Sequence, residues 1–163
     1  METDRLVKTA VLAAPLARVW AAVSDARQFG AWFGAEFDGA FVAGARLTAR
    51  IRPTTVDPEV AALQAPHAGT AFQVVVDTVE PMRRLAFRWH PYAVGSADYS
   101  AEPMTLVTFE LADAGGGHTR LTITESGFDA IPLARRAEAF TANEGGWTHQ
   151  LRLVGLYVTR QEA

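Results

Sequence analysis

The sequence predicts an α+β fold in which one long helix lies across an antiparallel sheet. Apolar and polar residues alternate with period two in successive runs through the middle of the chain, the mark of a sheet with one buried face. From Leu133 onward, Ala137, Phe140, Glu144, Trp147, Leu151, Val154 and Val158 recur at steps of three and four, which draws one stripe along a helix. Ahead of both, the N-terminus reads as a strand followed by two short helices.

Residues 5–13 carry Val7, Thr9 and Val11 and form the first strand. Pro15 suits a first helical turn, where its missing N–H costs nothing. Leu16, Val19, Trp20 and Val23 follow at helical spacing. Ser24 and Asp25 end this helix, and Asp25 caps a second over Ala26 to Trp32. Residues 35–42 and 45–52 are strands separated by Ala43-Gly44. The segment 53–68 holds Pro53, Pro58 and Pro66, so it is an insertion and not a central strand. Within it, Asp57-Pro58-Glu59 before VAALQ predicts a capped helical turn. Residues 70–80 are rich in strand formers. In 83–90, Leu85, Phe87 and Trp89 oppose Arg84, Arg88 and His90. A long loop covers 91–103, with Tyr92, Asp98 and Tyr99. In 104–112, Thr105, Val107, Phe109 and Leu111 oppose Leu106, Thr108 and Glu110. Gly115-Gly116-Gly117 turns into 118–126, where Leu121 and Ile123 share a face. Ile131-Pro132 opens the final helix. Gly145-Gly146 lies in its middle, which predicts a close backbone approach or a kink.

A length of 163 residues makes one domain, 1–163. A chain of that size buries roughly 70% of its unfolded surface and needs no staples. Cysteine is absent, which excludes disulfides, thiolate metal sites and cysteine nucleophiles. A formal charge of −3 argues against nucleic acid as a partner. No apolar run approaches the ~20 residues of a membrane span and no leader precedes the first strand, so the cytoplasm is the expected compartment. No nucleophile elbow, phosphate loop or HExxH is present. His67, His90, His118 and His149 lie too far apart for a metal pattern. No metal, no cofactor and no catalytic set are expected.

The stretch AAPLARVWAAVSDARQFGAWFG, the strand ending FRWHP, the run EPMTLVTFEL and the segment TRLTITESGFDAIPLARRAEAFTANEGGW resemble the SRPBCC (START-like) superfamily. Within it they resemble the AHSA1-like branch, named for the activator of Hsp90 ATPase homologue 1. The resemblance covers nearly the whole chain. It implies a helix-grip fold, a curved antiparallel sheet wrapped around the C-terminal helix with a hydrophobic pocket between them. The insertion 53–68 exceeds what a minimal member needs and implies a different pocket mouth.

Glu125 continues the parity of Leu121 and Ile123, so its carboxyl faces inward. Burial demands hydrogen bonds for it. Either it faces a ligand, or it is bonded to Asn143 or Trp147, or it caps the Gly127 turn; the structural role weighs more. Trp32, Trp89 and Trp147 offer apolar faces and an orienting N–H each. Phe87 and Phe109 point inward by alternation. Phe128, Phe140 and Tyr157 belong to the same shell, Asn143 is a polar anchor, and His90 reaches the rim. Gly146 either leaves room for a ligand or lets the helix approach the strands. Arg135 and Arg136 open the last helix and call for acidic partners such as Glu125 or Asp129.

The expected function is binding of a small hydrophobic or amphipathic molecule in the pocket. The alternative is a cyclase-like enzyme acting there, with Glu125, His90 and Asn143 as acid–base groups. Stimulation of an Hsp90-like chaperone ranks third, because those activators carry an additional domain. Self-association as a homodimer is left open.

Overall fold

The computed structural model describes residues 4–90 and 103–160, save the side chains of residues 133–135. Strand β1 (Arg5–Leu12) leads into helices α1 (Leu16–Ser24) and α2 (Ala26–Phe33). Strands β2 (Ala35–Phe37) and β3 (Arg46–Ile51) precede the inserted helix α3 (Pro58–Gln64) and a 3-10 turn at Ala65–His67. Strands β4 (Ala71–Glu80), β5 (Arg84–Trp89), β6 (Thr105–Gly115) and β7 (His118–Ser126) follow, then α4 (Leu133–Thr159). The strands form one seven-stranded sheet in the order β1-β7-β6-β5-β4-β3-β2. Each neighbouring pair is antiparallel. This is the predicted α+β helix-grip architecture. The loop expected over 91–103 lies, but for its last residue, outside the described residues.

The period of two puts the expected faces inward. Thr105, Val107, Phe109 and Leu111 on β6 are buried, as are Leu121, Ile123 and Glu125 on β7. In β1 the strand signal and the buried face differ. Leu6 and Leu12 are buried, whereas Val7 and Val11 are half-exposed on the outer surface. The second strand is shorter than 35–42, because Asp38 Oδ1 accepts from the Thr48 N–H at 3.0 Å and turns the chain away. Phe41 then folds into the core.

Asp25 separates the two short helices as predicted. Its side chain accepts from the N–H groups of Arg27 and Gln28. Gly30 lies where α2 meets β2, and an added Cβ would stand 2.0 Å from the Ala35 carbonyl oxygen. Phe29 from α2 packs against Trp32, Phe33, Phe37, Phe41, Phe87 and Phe109. This aromatic cluster packs α2 against the sheet.

The stripe of α4 departs from the expected one. Ala137 and Glu144 are exposed, while Ala139, Leu153 and Tyr157 are buried. Strict steps of three and four follow a 3.5-residue repeat, whereas a helix turns every 3.6 residues and drifts by about 20° per heptad. Over twenty-seven residues the buried face therefore rotates around the helix. Glu144 faces β1 instead and accepts from Lys8 Nζ at 3.0 Å. Gly145 and Gly146 make no close approach: both are exposed, α4 runs through them as one helix, and an added Cβ would meet nothing within 4 Å. Arg136 finds backbone partners, donating to the carbonyls of Ile131 at 3.1 Å and Asp129 at 2.9 Å.

Candidate functional site

Strand register sets the geometry around Glu125. Trp89 on β5 stands opposite Thr105 on β6. Glu125 on β7 stands opposite Val107, two residues further along β6. All three point inward, so the carboxyl reaches diagonally across two strands. From the other side come Asn143 and Trp147, one turn apart on the same face of α4.

These residues converge on the carboxylate. Trp89 Nε1 donates to Oε2 at 2.8 Å and Thr105 Oγ1 to the same oxygen at 2.5 Å. Trp147 Nε1 donates to Oε1 at 2.7 Å and Asn143 Nδ2 at 2.8 Å. An ionised carboxylate is acceptor-only with about four lone-pair sites, and four donors meet them. Glu125 is fully buried, and none of these four partners is a cation. The two indoles lie near each other, with centroids 5.5 Å apart and planes inclined by 30°. This network ties β5, β6, β7 and α4 together. It leaves Glu125 no free lone pair to take a substrate proton, which argues against its service as a general base.

A cavity of about 320 Å³ opens beside this network, towards the insertion. Phe33, Ile51, Leu63, Phe72 and Trp89 supply its apolar wall, and Gln64, His67, Thr70, His90, Asn143 and Gln150 its polar groups. Leu63 is 74% exposed at the mouth. The wall is built by capping the C-terminus of α2. The last carbonyls of any helix need outside donors. Here Thr54 Oγ1 donates to the Trp32 carbonyl at 2.8 Å, and the Thr55 N–H to that of Ala31 at 2.9 Å. Gln64 Nε2 and Gln150 Nε2 both donate to the Phe33 carbonyl, at 3.1 and 3.0 Å. Gln64 Oε1 in turn accepts from the Thr54 N–H at 2.8 Å. Gly34 ends the helix at φ +99°, and a Cβ there would stand 2.3 Å from the Gln64 amide nitrogen. Asp57 caps α3 through the N–H groups of Glu59 and Val60, and Nη1 and Nη2 of Arg152 on α4 both donate to it.

The structure distributes the sequence candidates over four places. Trp89, His90 and Asn143 line the cavity. Glu125 and Trp147 stand behind it as the buried network. Trp32, Phe87 and Phe109 belong to the aromatic core, where Trp32 Nε1 donates to the Ala22 carbonyl at 2.9 Å. Phe128 and Phe140 pack on each other, centroids 5.0 Å apart, outside the cavity lining. Sequence reasoning missed Phe33, Phe72, Gln64 and Gln150. Gln150 carried a signal: with Asn143 and Trp147 it sits at steps of four and three along one face of the helix. The other three come from elements far apart in sequence.

A larger cleft of about 900 Å³ lies between the α1–α2 junction and β2. Four of its charged groups are engaged within the protein. Asp25 caps α2, Asp38 holds Thr48, and Arg52 Nη1 donates to Glu36 at 2.8 Å. Among the described residues no group of histidines and carboxylates is placed to hold a metal ion. No helix among them is long and apolar enough to cross a membrane.

The fold is shared with solved structures. A protein of Mesorhizobium loti is 21% identical, with a TM-score of 0.70 over 98% of this chain and 99% of that one. A protein of Chromobacterium violaceum is 20% identical, with a TM-score of 0.68 over 98% and 100% of the two chains. DynU16, a protein in the dynemicin biosynthetic locus, is 27% identical with a TM-score of 0.64; the match covers 94% of this chain and 46% of DynU16. No curated protein matches the sequence. The family described as activator of Hsp90 ATPase homolog 1-like protein matches residues 13–157. A helix gripped by a seven-stranded sheet and a family match spanning all but the ends of the chain have one consequence: the chain belongs to the activator of Hsp90 ATPase homolog 1-like family.

Proposed function

We propose that the protein binds a small hydrophobic or amphipathic molecule in the cavity between the insertion, the sheet and α4. One observation carries the reading: a volume of about 320 Å³ walled by Phe33, Phe72 and Trp89 with an exposed leucine at its mouth. Ligand cavities start near 300 Å³ and pair mostly apolar walls with a few polar groups that fix the pose. Trp89 and Asn143 suit this role because the Glu125 network holds their side chains in place. Desolvation of the ligand supplies the driving force.

A thermal-shift panel of apolar molecules with neutral, acidic and basic heads tests the reading. A ligand at 100 times its Kd adds about 2.7 kcal/mol, a shift of several degrees for a domain of this size. Leu63→Asp places a charge at the mouth of the cavity on an exposed position, and Phe72→Ala removes part of a wall. Both are expected to weaken a hit by about tenfold or more. A hit that both variants bind as tightly as the parent chain locates the ligand elsewhere and sinks the proposal.

A further inference from the structure

One wall of the cavity is held differently from the others. Phe33, Ile51, Phe72, Trp89 and Asn143 stand on α2, β3, β4, β5 and α4, whereas Leu63, Gln64 and His67 come from α3 and the turn after it. No residue of α3 or of that turn is buried. An element without buried side chains sits at the low end of local stability. Its ends, by contrast, are fixed. Thr54 and Thr55 are bonded to the end of α2 at its entry. At its exit the Gly69 N–H donates to the Ile51 carbonyl at 2.8 Å, and the Ile51 N–H to the Thr70 carbonyl at 2.9 Å. Gly69, at φ +87°, makes the return into the sheet. A loop whose ends meet can move as a unit without parting the strands beneath it.

Between these ends, polar side chains tie α3 to its surroundings at two corners among the described residues. Gln64 bonds the Phe33 carbonyl and the Thr54 N–H at the C-terminal corner. Asp57 accepts from Arg152 at the N-terminal one. Val56 and Val60 add partly buried apolar contact. Asp57 and Arg152 are not among the residues that line the cavity. The Arg152 side chain is half-exposed and that of Asp57 is nearly covered, so the pair can part into solvent on one side.

We propose that α3 with its turn is the movable wall through which a ligand enters and leaves, and that Arg152, acting through Asp57, sets the rate of that exchange without touching the ligand. This rests on the reading of the cavity as a binding site and adds how the site is filled. Arg152 is then a positioning residue. A wall that lifts before a ligand passes limits exchange in both directions. Loosening its tie speeds association and release alike, and leaves Kd nearly unchanged while the closed state stays dominant. A residue that touches the ligand changes Kd instead, chiefly through release.

Stopped-flow fluorescence of the full chain with prodan, an uncharged naphthalene ketone whose emission reports an apolar surrounding, tests this. Arg152→Gln keeps every lining residue and the Asp57 cap. It is expected to raise the association and release rates of prodan by about fivefold each, the scale of one ion pair near the surface, and to change Kd by less than about twofold. Hydrogen exchange of residues 58–67 is expected to quicken by about the same factor. Asp57→Asn, which keeps a cap, is expected to act alike and carries the test if the first variant does not fold. Phe72→Ala is the contrasting control, with a higher Kd and an unchanged association rate. Quickened exchange of 58–67 with both prodan rates unchanged overturns the moving wall and leaves the cavity as a binding site. Exchange of 58–67 that does not quicken overturns the role of Arg152. A raised Kd with unchanged association in Arg152→Gln makes that residue a ligand contact and overturns its positioning role. Prodan that does not bind, or that Leu63→Asp and Phe72→Ala bind as tightly as the parent chain, overturns this proposal together with the reading it rests on.

Discussion

Glu125 is held by dipoles alone, and its replacement by the nearest isostere is the sharpest probe of that arrangement. Gln at this position keeps the shape but turns one acceptor oxygen into a donor nitrogen. At the Oε1 position the amide nitrogen faces the N–H groups of Trp147 and Asn143; at the Oε2 position it faces the Trp89 N–H, while the Thr105 hydroxyl turns to accept from it. Glu125→Gln is expected to cost about 2–3 kcal/mol, the range for buried polar groups left unpaired beside a charged site. Thr105→Val removes one donor of four and is expected to cost about 1 kcal/mol. Urea denaturation of both variants measures this. If Glu125→Gln costs no more than Thr105→Val, the network does not depend on the carboxylate. Part of this was legible in the sequence. Strand parity turned Glu125 inward, and Asn143 and Trp147 were already its candidate partners. Trp89 and Thr105 were not, because they become its neighbours only through the register of three strands, which no local pattern states.

At the scale of elements, the insertion behaves as a cap on α2 and a wall of the cavity at once. Its helical turn was readable from Asp57-Pro58-Glu59, since a side-chain acceptor before Pro is a local signal. Its docking was not readable. That depends on Thr54, Thr55 and Gln64 meeting the end of α2, and on Asp57 meeting Arg152 some ninety residues later. The Asp57 carboxyl is held below its ordinary value of 3.8 by the Val60 N–H first, then by the Arg152 charge and the Glu59 N–H, against the opposing effect of burial. The sign follows from linkage. A folded-state value below the unfolded one gives stabilisation that is complete above the unfolded value and lost as the pH falls through the folded one. Hydrogen exchange of residues 58–64 is expected to stay protected at neutral pH and to quicken, after correction for the intrinsic rate, as the pH drops below about 4. Asp57→Asn keeps a cap but cannot form the ion pair. It is expected to exchange faster at neutral pH and to lose most of the acid dependence. An acid profile identical in the variant would place the pH sensitivity on another group.

For the molecule as a whole, period and stripe revealed the fold because each is repeated along a continuous segment. The cavity was not revealed, because its wall is assembled from α2, β3, the insertion, β4, β5 and α4. The same separation explains why the sequence placed the pocket at the centre of the grip. Trp32, Phe87 and Phe109 do face the concavity, but the ring of Phe29 meets all of them and closes that space. Among the described residues the centre of the grip is thus a packed aromatic core, and the cavity lies beside the insertion. Phe29 is 1% exposed and joins α2 to both β5 and β6, so its loss is felt on both layers. Phe29→Ala is expected to cost about 3–5 kcal/mol, the range for emptying a large aromatic site in a core. Because one cluster serves both layers, unfolding is expected to stay cooperative. Tryptophan fluorescence, which reports Trp20, Trp32, Trp89 and Trp147, and far-ultraviolet circular dichroism, which reports sheet and helix, should give coincident urea transitions in parent and variant alike. A cost below about 1.5 kcal/mol would show that the core collapses into the space Phe29 vacates. Separated transitions would show that α2 and the sheet are held by different contacts, and the centre of the grip would then be loose enough to admit a ligand after all.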